Sequence, residues 1–572
     1  MTASPSPFPR RATTGIAAAW VHVRALLPTT SDYAAMRRNP KRDIVAGITV
    51  AFVALPLALA FGAASGLGAG AGLVTAIVAG AVAAILGGSN LQVSGPTGAM
   101  TVVLLPIVAQ FGASAVLVVG LLAGVVLIVL ALAGAGRYMQ YVPLPVVEGF
   151  TVGIAVIIGL QQVPAALGQS PEGEKVVISA WNAVVAFVQA PDWASVGIAG
   201  FVAAVMLAML RLRPGLPVSL PAVAVATVFV VALHLDVATI GALPRGLPAP
   251  SVPDIPWSHL SALLVPAVAV AALAALESLL SATVADAMSV NERHDSNREL
   301  FGQGMANLAA PLFGGVPATA AIARTAVNVR TGARSRLAAV TQSAALLVVV
   351  LVAAQWVSYI PLAALAGVLF ATVVQMVEVG SLRALVRSTR GDALVLVATA
   401  VATVAFDLVV AVIIGLVIAG LYALNQLSKS ARVDEIRLEG GDHTAEEQEL
   451  LDQHVVAFRL DGPLFFGAAH RFLLEVAEVS DVRVVILRLS RITTIDATGA
   501  TVLADTITTL EQRGITVLLS GIRDEHHNVF RVLGIYDRLA HAGHVFPTTP
   551  EAISHARRHL SRDGHHPTGA HP

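Results

Sequence analysis

The sequence predicts a polytopic α-helical membrane protein followed by a small α/β domain. Three observations predict it. The 572-residue chain is 56% hydrophobic and only 13% charged, too little charge to cover a soluble protein of that length. Its apolar residues form a near-continuous series of blocks from Ile44 to about Leu427, and from about Lys429 onward charged and apolar residues mix. Two of the blocks are short, open on small residues and a proline, and occupy matching places in two halves of the series. Other classes are excluded by composition. A formal net charge of zero gives no bias toward nucleic acid. The absence of cysteine removes disulfides, thiolate metal sites and thiol catalysis.

Residues 1–40 read as a polar leader without the apolar core of a signal peptide. Hydropathy and helix breakers then mark fourteen blocks. They lie near 43–62, 70–88, 96–110, 113–134, 143–163, 194–211, 216–235, 261–284, 299–313, 317–329, 336–356, 360–377, 392–406 and 407–427. Val176–Ala190 is an additional amphipathic segment, expected at the interface. With the N-terminus inside, the basic residues fall on alternate connections, and the outer loops keep only Lys175 and Arg245. An even number of spans follows, with both termini cytoplasmic, in a multi-pass protein of the cell's inner membrane.

The two short blocks are VSGPTGAMTVVLLP (Val93–Pro106) and GVPATAAIARTAVN (Gly315–Asn328). They are third in each seven-block half. An odd number of spans per half inverts the second half relative to the first, which is the pattern of an inverted repeat with two broken helices. Each half-helix is expected to start at its proline, Pro96 or Pro317. Their facing N-termini would offer unpaired N–H groups and positive dipole ends to an anion. Gly98, Ala99, Ala320 and Ala321 are small enough to admit a ligand to the backbone. Arg324, seven residues after Pro317 and so expected about two turns into its half-helix, would add a full charge. The plainer reading is an arginine satisfied by carbonyls or by a carboxylate.

Glu277 sits among Ala and Leu in the eighth block, with Ser278 beside it and Ser281 one turn on. Three readings stay open: a proton carrier, a sodium ligand to which Ser281 adds an oxygen, or a static pair with Arg324. Asp286 reads as a helix-end or conformational residue and Glu148 as a capping or interdomain contact.

Residues 429–555 alternate strands with helices, and VVAFRLDGPLFFG reads as strand–turn–strand. Asp496-Ala497-Thr498-Gly499 opens a helix, with Thr498 as a cap or a phosphorylation site. The His-rich tail, 556–572, reads as flexible. No G-x-x-x-x-G-K-S/T motif supports ATP-driven transport, and nothing points to an enzyme or an organic cofactor.

Five stretches carry a family resemblance: DIVAGITVAFVALPLALAFGAASGL (Asp43–Leu67), GGSNLQVSGPTGA (Gly87–Ala99), ALESLLSATVADAM (Ala275–Met288), ELFGQGMANLAAPLFGG (Glu299–Gly315) and ARTAVNVRTGARS (Ala323–Ser335). In them the chain resembles the SulP anion transporters, bacterial relatives of the solute carriers that include prestin and pendrin. The resemblance implies fourteen segments in a seven-plus-seven inverted repeat, a mobile core domain, a gate domain, elevator-like movement and a homodimer. It places the anion between spans one, three, eight and ten. Phe61 comes from span one, Thr97, Gly98 and Ala99 from span three, and Ala321, Ile322 and Ala323 from span ten, with Arg324 behind them. Leu57 and Ala323 stand where many members have polar residues. Glu277 is more like the proton-coupled members, whereas sodium-coupled bicarbonate members carry Asp there. The C-terminal part resembles the STAS domain, whose Asp-x-Ser/Thr-Gly loop is phosphorylated in anti-sigma-antagonist relatives and which can hold a cytoplasmic partner. The expected function is secondary active transport of a small anion by proton symport, with a C4-dicarboxylate favoured by ALPLALAFG. Sodium-coupled bicarbonate or sulfate transport is the alternative, and an uncoupled channel or a STAS-mediated sensor comes after it.

Overall fold

The computed structural model describes residues 23–562 apart from 171–174, 214–215, 256, 290–291, 407, 431, 437–453, 466–481 and 533. It divides into two compact units, Met1–Leu416 and Val417–Pro572. The expected turn at Asp407 and residues 563–572 of the His-rich tail lie outside the described residues, whereas 556–562, expected to be flexible, are helical because Ala556 and Leu560 pack into a core.

Every predicted block holds a helix. A short α1 (Thr30–Ala34) precedes α2 (Pro40–Ala64), α3 (Ala69–Leu86), β1 (Ser94–Gly95), α4 (Gly98–Phe111) and α5 (Ala113–Leu132). Next come α6 (Leu144–Ala166), the amphipathic α7 (Val176–Gln189), α8 (Trp193–Leu212) and α9 (Ser219–Ala232). The second half runs α10 (Leu260–Met288), α11 (Ser296–Leu312), β2 (Thr319–Ala320), α12 (Ile322–Arg330), α13 (Leu337–Val357) and α14 (Leu362–Met376). It closes with α15 (Val379–Ser388), α16 (Arg390–Ala405) and α17 (Leu408–Ser430). Helix α15 was not expected from hydropathy, because it is short and carries two arginines. Among the described residues nine helical stretches are long and apolar enough to cross a membrane, while α4 and α9 are apolar but shorter.

The helices sort into two groups. One joins α2–α5 to α10–α13, and the other joins α6, α8 and α9 to α14 and α16. Each group thus draws matching members from both halves, as an inverted repeat requires. Within the first group backbones meet directly, since a Cβ on Gly124 would lie 2.8 Å from the carbonyl oxygen of Gly304. In lipid, where apolar side chains gain nothing by leaving their surroundings, such close approach by small residues is the main packing force.

The half-helices do not begin at their prolines. Helix α4 starts at Gly98 with Thr97 as its N-cap residue, and α12 starts at Ile322 with Ala321 in that position. The residues around Pro96 and Pro317 are extended instead, in line with the bias of the position before proline. The extended pieces pair antiparallel, Ser94 with Ala320 and Gly95 with Thr319. That pairing satisfies backbone groups that no helix reaches.

The second unit carries β3 (Arg432–Ile436), β4 (Val455–Leu464), β5 (Val484–Ile495), α18 (Ala497–Gln512), β6 (Thr516–Ser520), α19 (Asp524–Val532), α20 (Ile535–His541), β7 (Val545–Phe546) and α21 (Thr549–Arg562). The sheet order is β3-β4-β5-β6-β7, with β3 antiparallel and the rest parallel. Alternation along β5 explains its two-sided burial. Val485, Leu487 and Leu489 pack with Leu503, Ile507 and Leu510 of α18, whereas Val484 and Ile486 pack with Ala552, Ala556 and Leu560 of α21. The predicted strand–turn–strand over Val455–Gly467 is instead a single strand as far as Leu464. Asp461-Gly462 is an irregularity in its register, with Gly462 at φ 93°, and not a reversal.

Candidate functional site

The paired breaks bring the two half-helix N-termini into one region of the first unit. Ala321 extends the pairing by donating its N–H to the Val93 carbonyl at 3.0 Å. No side chain caps either half-helix. Ala321 has none to offer, and the Thr97 hydroxyl points elsewhere, donating to Glu277 Oε2 at 2.9 Å. The first-turn N–H groups therefore keep their positive dipole ends free of a competing side-chain acceptor.

Arg324 belongs to the first turn of α12, two residues after its first residue, and not two turns in. Its side chain is 1% exposed. It reaches across to the other half, and Nη2 donates to the Pro96 carbonyl at 2.7 Å. Gly95 makes room for this, since a Cβ there would lie 2.6 Å from Nη1. Nε and Nη1 have no hydrogen-bond partner among the described residues. The plainer reading of this arginine therefore holds in part, because one carbonyl is paired and two donors remain. Among the described residues no ion pair within 4.0 Å joins it to Glu277.

Helix α10 stitches the site together. The Ser278 hydroxyl lies 3.0 Å from that of Thr319 and accepts the Ala320 N–H at 3.2 Å. Ser281 donates to Thr325 Oγ1 at 2.9 Å, and that oxygen also accepts the Val93 N–H at 3.1 Å. Both serines, expected beside the coupling ion, thus serve the joint between α10 and the second break.

Thr97, Gly98 and Ala99 are buried, Ala321 is half-buried, and Ile322 and Ala323 are exposed. Phe61 is buried, and a Cβ on Gly98 would lie 3.1 Å from its Cε1. Ile158 of α6 approaches Gly98 closer still, from the other helix group. Nothing in the sequence marks Ile158, an isoleucine in an apolar span. A second feature missed was legible. Glu299, Gln303 and Asn307 stand four residues apart on α11, on one face. Glu299 accepts the N–H groups of Gly88 and Ser89 at 2.9 and 3.2 Å. Gln303 donates to Ser94 Oγ at 2.6 Å, and Asn307 both donates to and accepts from the backbone of Ala318 at 2.8 Å. Glu299 and Asn307 thereby satisfy irregular buried backbone, and Gln303 ties Ser94 to Glu299 between them.

Elsewhere, the Asp286 carboxylate lies 2.7 Å from His294 Nδ1 at the end of α10, and Glu148 accepts from Ser381 Oγ at 2.7 Å, tying α6 to α15. In the second unit Thr498 is exposed, and the cap is Asp496, whose carboxylate accepts the Gly499 N–H at 2.7 Å. The expectation that Thr498 caps the helix is thereby corrected. An aspartate at the N-cap position is the stronger acceptor.

Comparison with known proteins bears on the same regions. The profile of the sulfate permease family matches residues 41–399, and that of the STAS domain matches 449–552. YvdB of Bacillus subtilis (strain 168), a sulfate transporter by provisional name, is 34% identical over 512 residues, covering 87% of this chain and 94% of its own. The bicarbonate transporter BicA of Synechocystis is 32% identical over 546 residues, covering 91% and 94%. The solved transmembrane domain of a cyanobacterial BicA superimposes with a TM-score of 0.58 at 33% identity, covering 67% of this chain and 98% of its own. Murine Slc26a9, an anion transporter solved in an inward-facing state, superimposes with a TM-score of 0.81 at 18% identity over 97% of this chain and all of its own, a likeness of fold.

Proposed function

The chain belongs to the sulfate permease family, and from that premise we propose that it is a secondary active transporter of a small oxyanion, driven by protons. The observation that carries the reading is the convergence of two uncapped half-helix N-termini with Arg324, all of one sign, beside a carboxylate that Thr97 touches. The Arg324 charge, held out of water, favours an anion far more than it would in solvent, and the helix N-termini add to it. Glu277 is the proton carrier in this reading. The engagement of Ser281 with Thr325 supports a proton over sodium, since a sodium ion would need that oxygen turned toward Glu277. Bicarbonate is the first substrate to test, because Phe61 and Ile158 leave little room over Gly98 and two relatives are named for it. A C4-dicarboxylate is the second reading, carried by the span-one motif. The two helix groups support an elevator movement in which α2–α5 and α10–α13 carry the anion past α6 and α14.

The test is uptake of labelled bicarbonate, sulfate, fumarate and succinate into proteoliposomes, under an inward proton gradient and, separately, an inward sodium gradient. Proton-driven bicarbonate uptake is the expected result. Sodium-only drive would move Glu277 into a cation site, and uptake indifferent to both gradients would leave an uncoupled channel.

A further inference from the structure

We propose that α15 is a docking helix for anionic lipid headgroups. It sets Arg383, Arg387 and the following Arg390 beside exposed apolar residues. The inference rests on reading the first unit as a membrane domain and uses nothing about its substrate.

Helix α15 links α14 to α16, and its ten residues give about 15 Å of helix, half of what a bilayer core needs. Too short to cross by itself, and parted from α14 by the non-helical Val377 and Glu378, it is assigned here to a membrane boundary. None of its residues is buried, yet one side is fixed to the protein. Ser381 Oγ donates to Glu148 Oε1 of α6 at 2.7 Å, and after the helix ends Thr389 caps α16 by accepting the Asp392 N–H at 3.0 Å. Successive residues are turned by about 100°. Ser381 consequently lies across the helix from a stripe made by Val379, Arg383, Val386 and Arg387. That stripe faces outward, with Val379 59% and Val386 52% exposed and both arginines exposed. Among the described residues, none of the three arginines has an ion-pair partner.

Arginines flanking valines on an interfacial helix match a surface that is apolar below and anionic above. The valines enter the acyl boundary while the long arginine stems carry their charge up to phosphate. An acidic soluble partner would satisfy the arginines and leave the valines unexplained. Each basic side chain held near an anionic leaflet favours it by about fivefold, so three together favour an anionic lipid by an order of magnitude or more.

The chain has no cysteine, so Val386→Cys in the full-length protein gives a single labelling site. A fluorophore there is read in phosphatidylcholine vesicles containing small amounts of brominated phosphatidylcholine or brominated phosphatidylglycerol. The expected result is quenching by both lipids, with a preference for phosphatidylglycerol of about tenfold or more that salt weakens. The combined Arg383→Gln, Arg387→Gln and Arg390→Gln variant brings the ratio to about one. Equal quenching by the two lipids in the parent, where folding of the variant is not at issue, overturns the proposal. So does quenching by aqueous iodide without lipid quenching. Disulfide cross-linking between two copies of the unlabelled Val386→Cys protein, without lipid quenching of the labelled one, assigns the face to a second copy and overturns it as well. Anion uptake is not a readout, so failure of the transport reading leaves this test intact.

Discussion

Arg324 and Gly95 form a pair in which each sets the terms for the other. The guanidinium holds the Pro96 carbonyl and has two donors without a partner among the described residues, and only a residue without Cβ leaves it space. Arg324→Ala removes a charge-assisted bond and a site charge, together about 1.5–3 kcal/mol. The expected loss in anion affinity is roughly ten- to a hundredfold, measured as KM for uptake, and unchanged affinity would sink the ligand role. Glu277 makes a different prediction. Glu277→Gln keeps an oxygen that accepts from Thr97, so the melting temperature should hold, while proton-driven uptake is lost and anion exchange across a symmetric gradient persists. Retention of proton-driven accumulation would remove Glu277 as carrier. Both residues were legible in the sequence because charge among Ala and Leu is conspicuous. Their geometry was not. Placing the helix start at Pro317 put Arg324 about a turn too deep, because Thr319-Ala320, between the proline and the helix, form an extended segment whose partner lies in the other half.

At the scale of elements, α11 is a backbone satisfier and the α4–α6 contact is a seam. Asn307→Leu leaves the Ala318 N–H and carbonyl without partners, at about 1–3 kcal/mol each. The expected consequence is a lower melting temperature in detergent, with an equally lowered value for Gln303→Leu arguing for a continuous ladder. Gly98→Ala overpacks Ile158 and Phe61 at a cost of about 1–3 kcal/mol and should slow uptake. Ile158→Ala in the same chain should restore it, and a lack of rescue would place the fault in backbone conformation. Hydropathy found every long helix, since a span announces itself by composition. It passed over α15, whose ten residues mix arginine with valine, and it could not name Ile158, because an apolar residue facing a glycine looks like one facing lipid.

Across the whole molecule, the two units answer pH differently. Near the start of the chain, partial burial works to raise the Asp32 pKa, but hydrogen bonds from Arg298 and Thr29 outweigh it and hold the carboxyl at about 2. Its contribution is thus complete above the ordinary carboxylate range and lost only as pH falls through about 2. In the second unit, burial pushes His526 below its ordinary 6.5, against Glu525 and with Arg523, and pushes His544 down with the help of His555 and His559. Both favour the neutral ring when folded, so their stabilisation is full above 6.5 and lost as pH falls below it. Melting of the full-length protein should therefore show an unfolding step that moves to lower temperature between about pH 7.5 and about pH 5.5, and His544→Gln should flatten that shift. The α/β order of this unit was readable from alternation, whereas the strand running through Asp461-Gly462 was not, because a bulge and a turn use the same residues. The joint between the two breaks has a consequence in time. Arg324 and Pro96 are 228 residues apart, so when the first break emerges from the ribosome nothing yet exists to cover it. The newborn chain must carry exposed backbone at membrane depth while those 228 residues are made, and a nonsense codon before Thr319 yields a product whose break stays open.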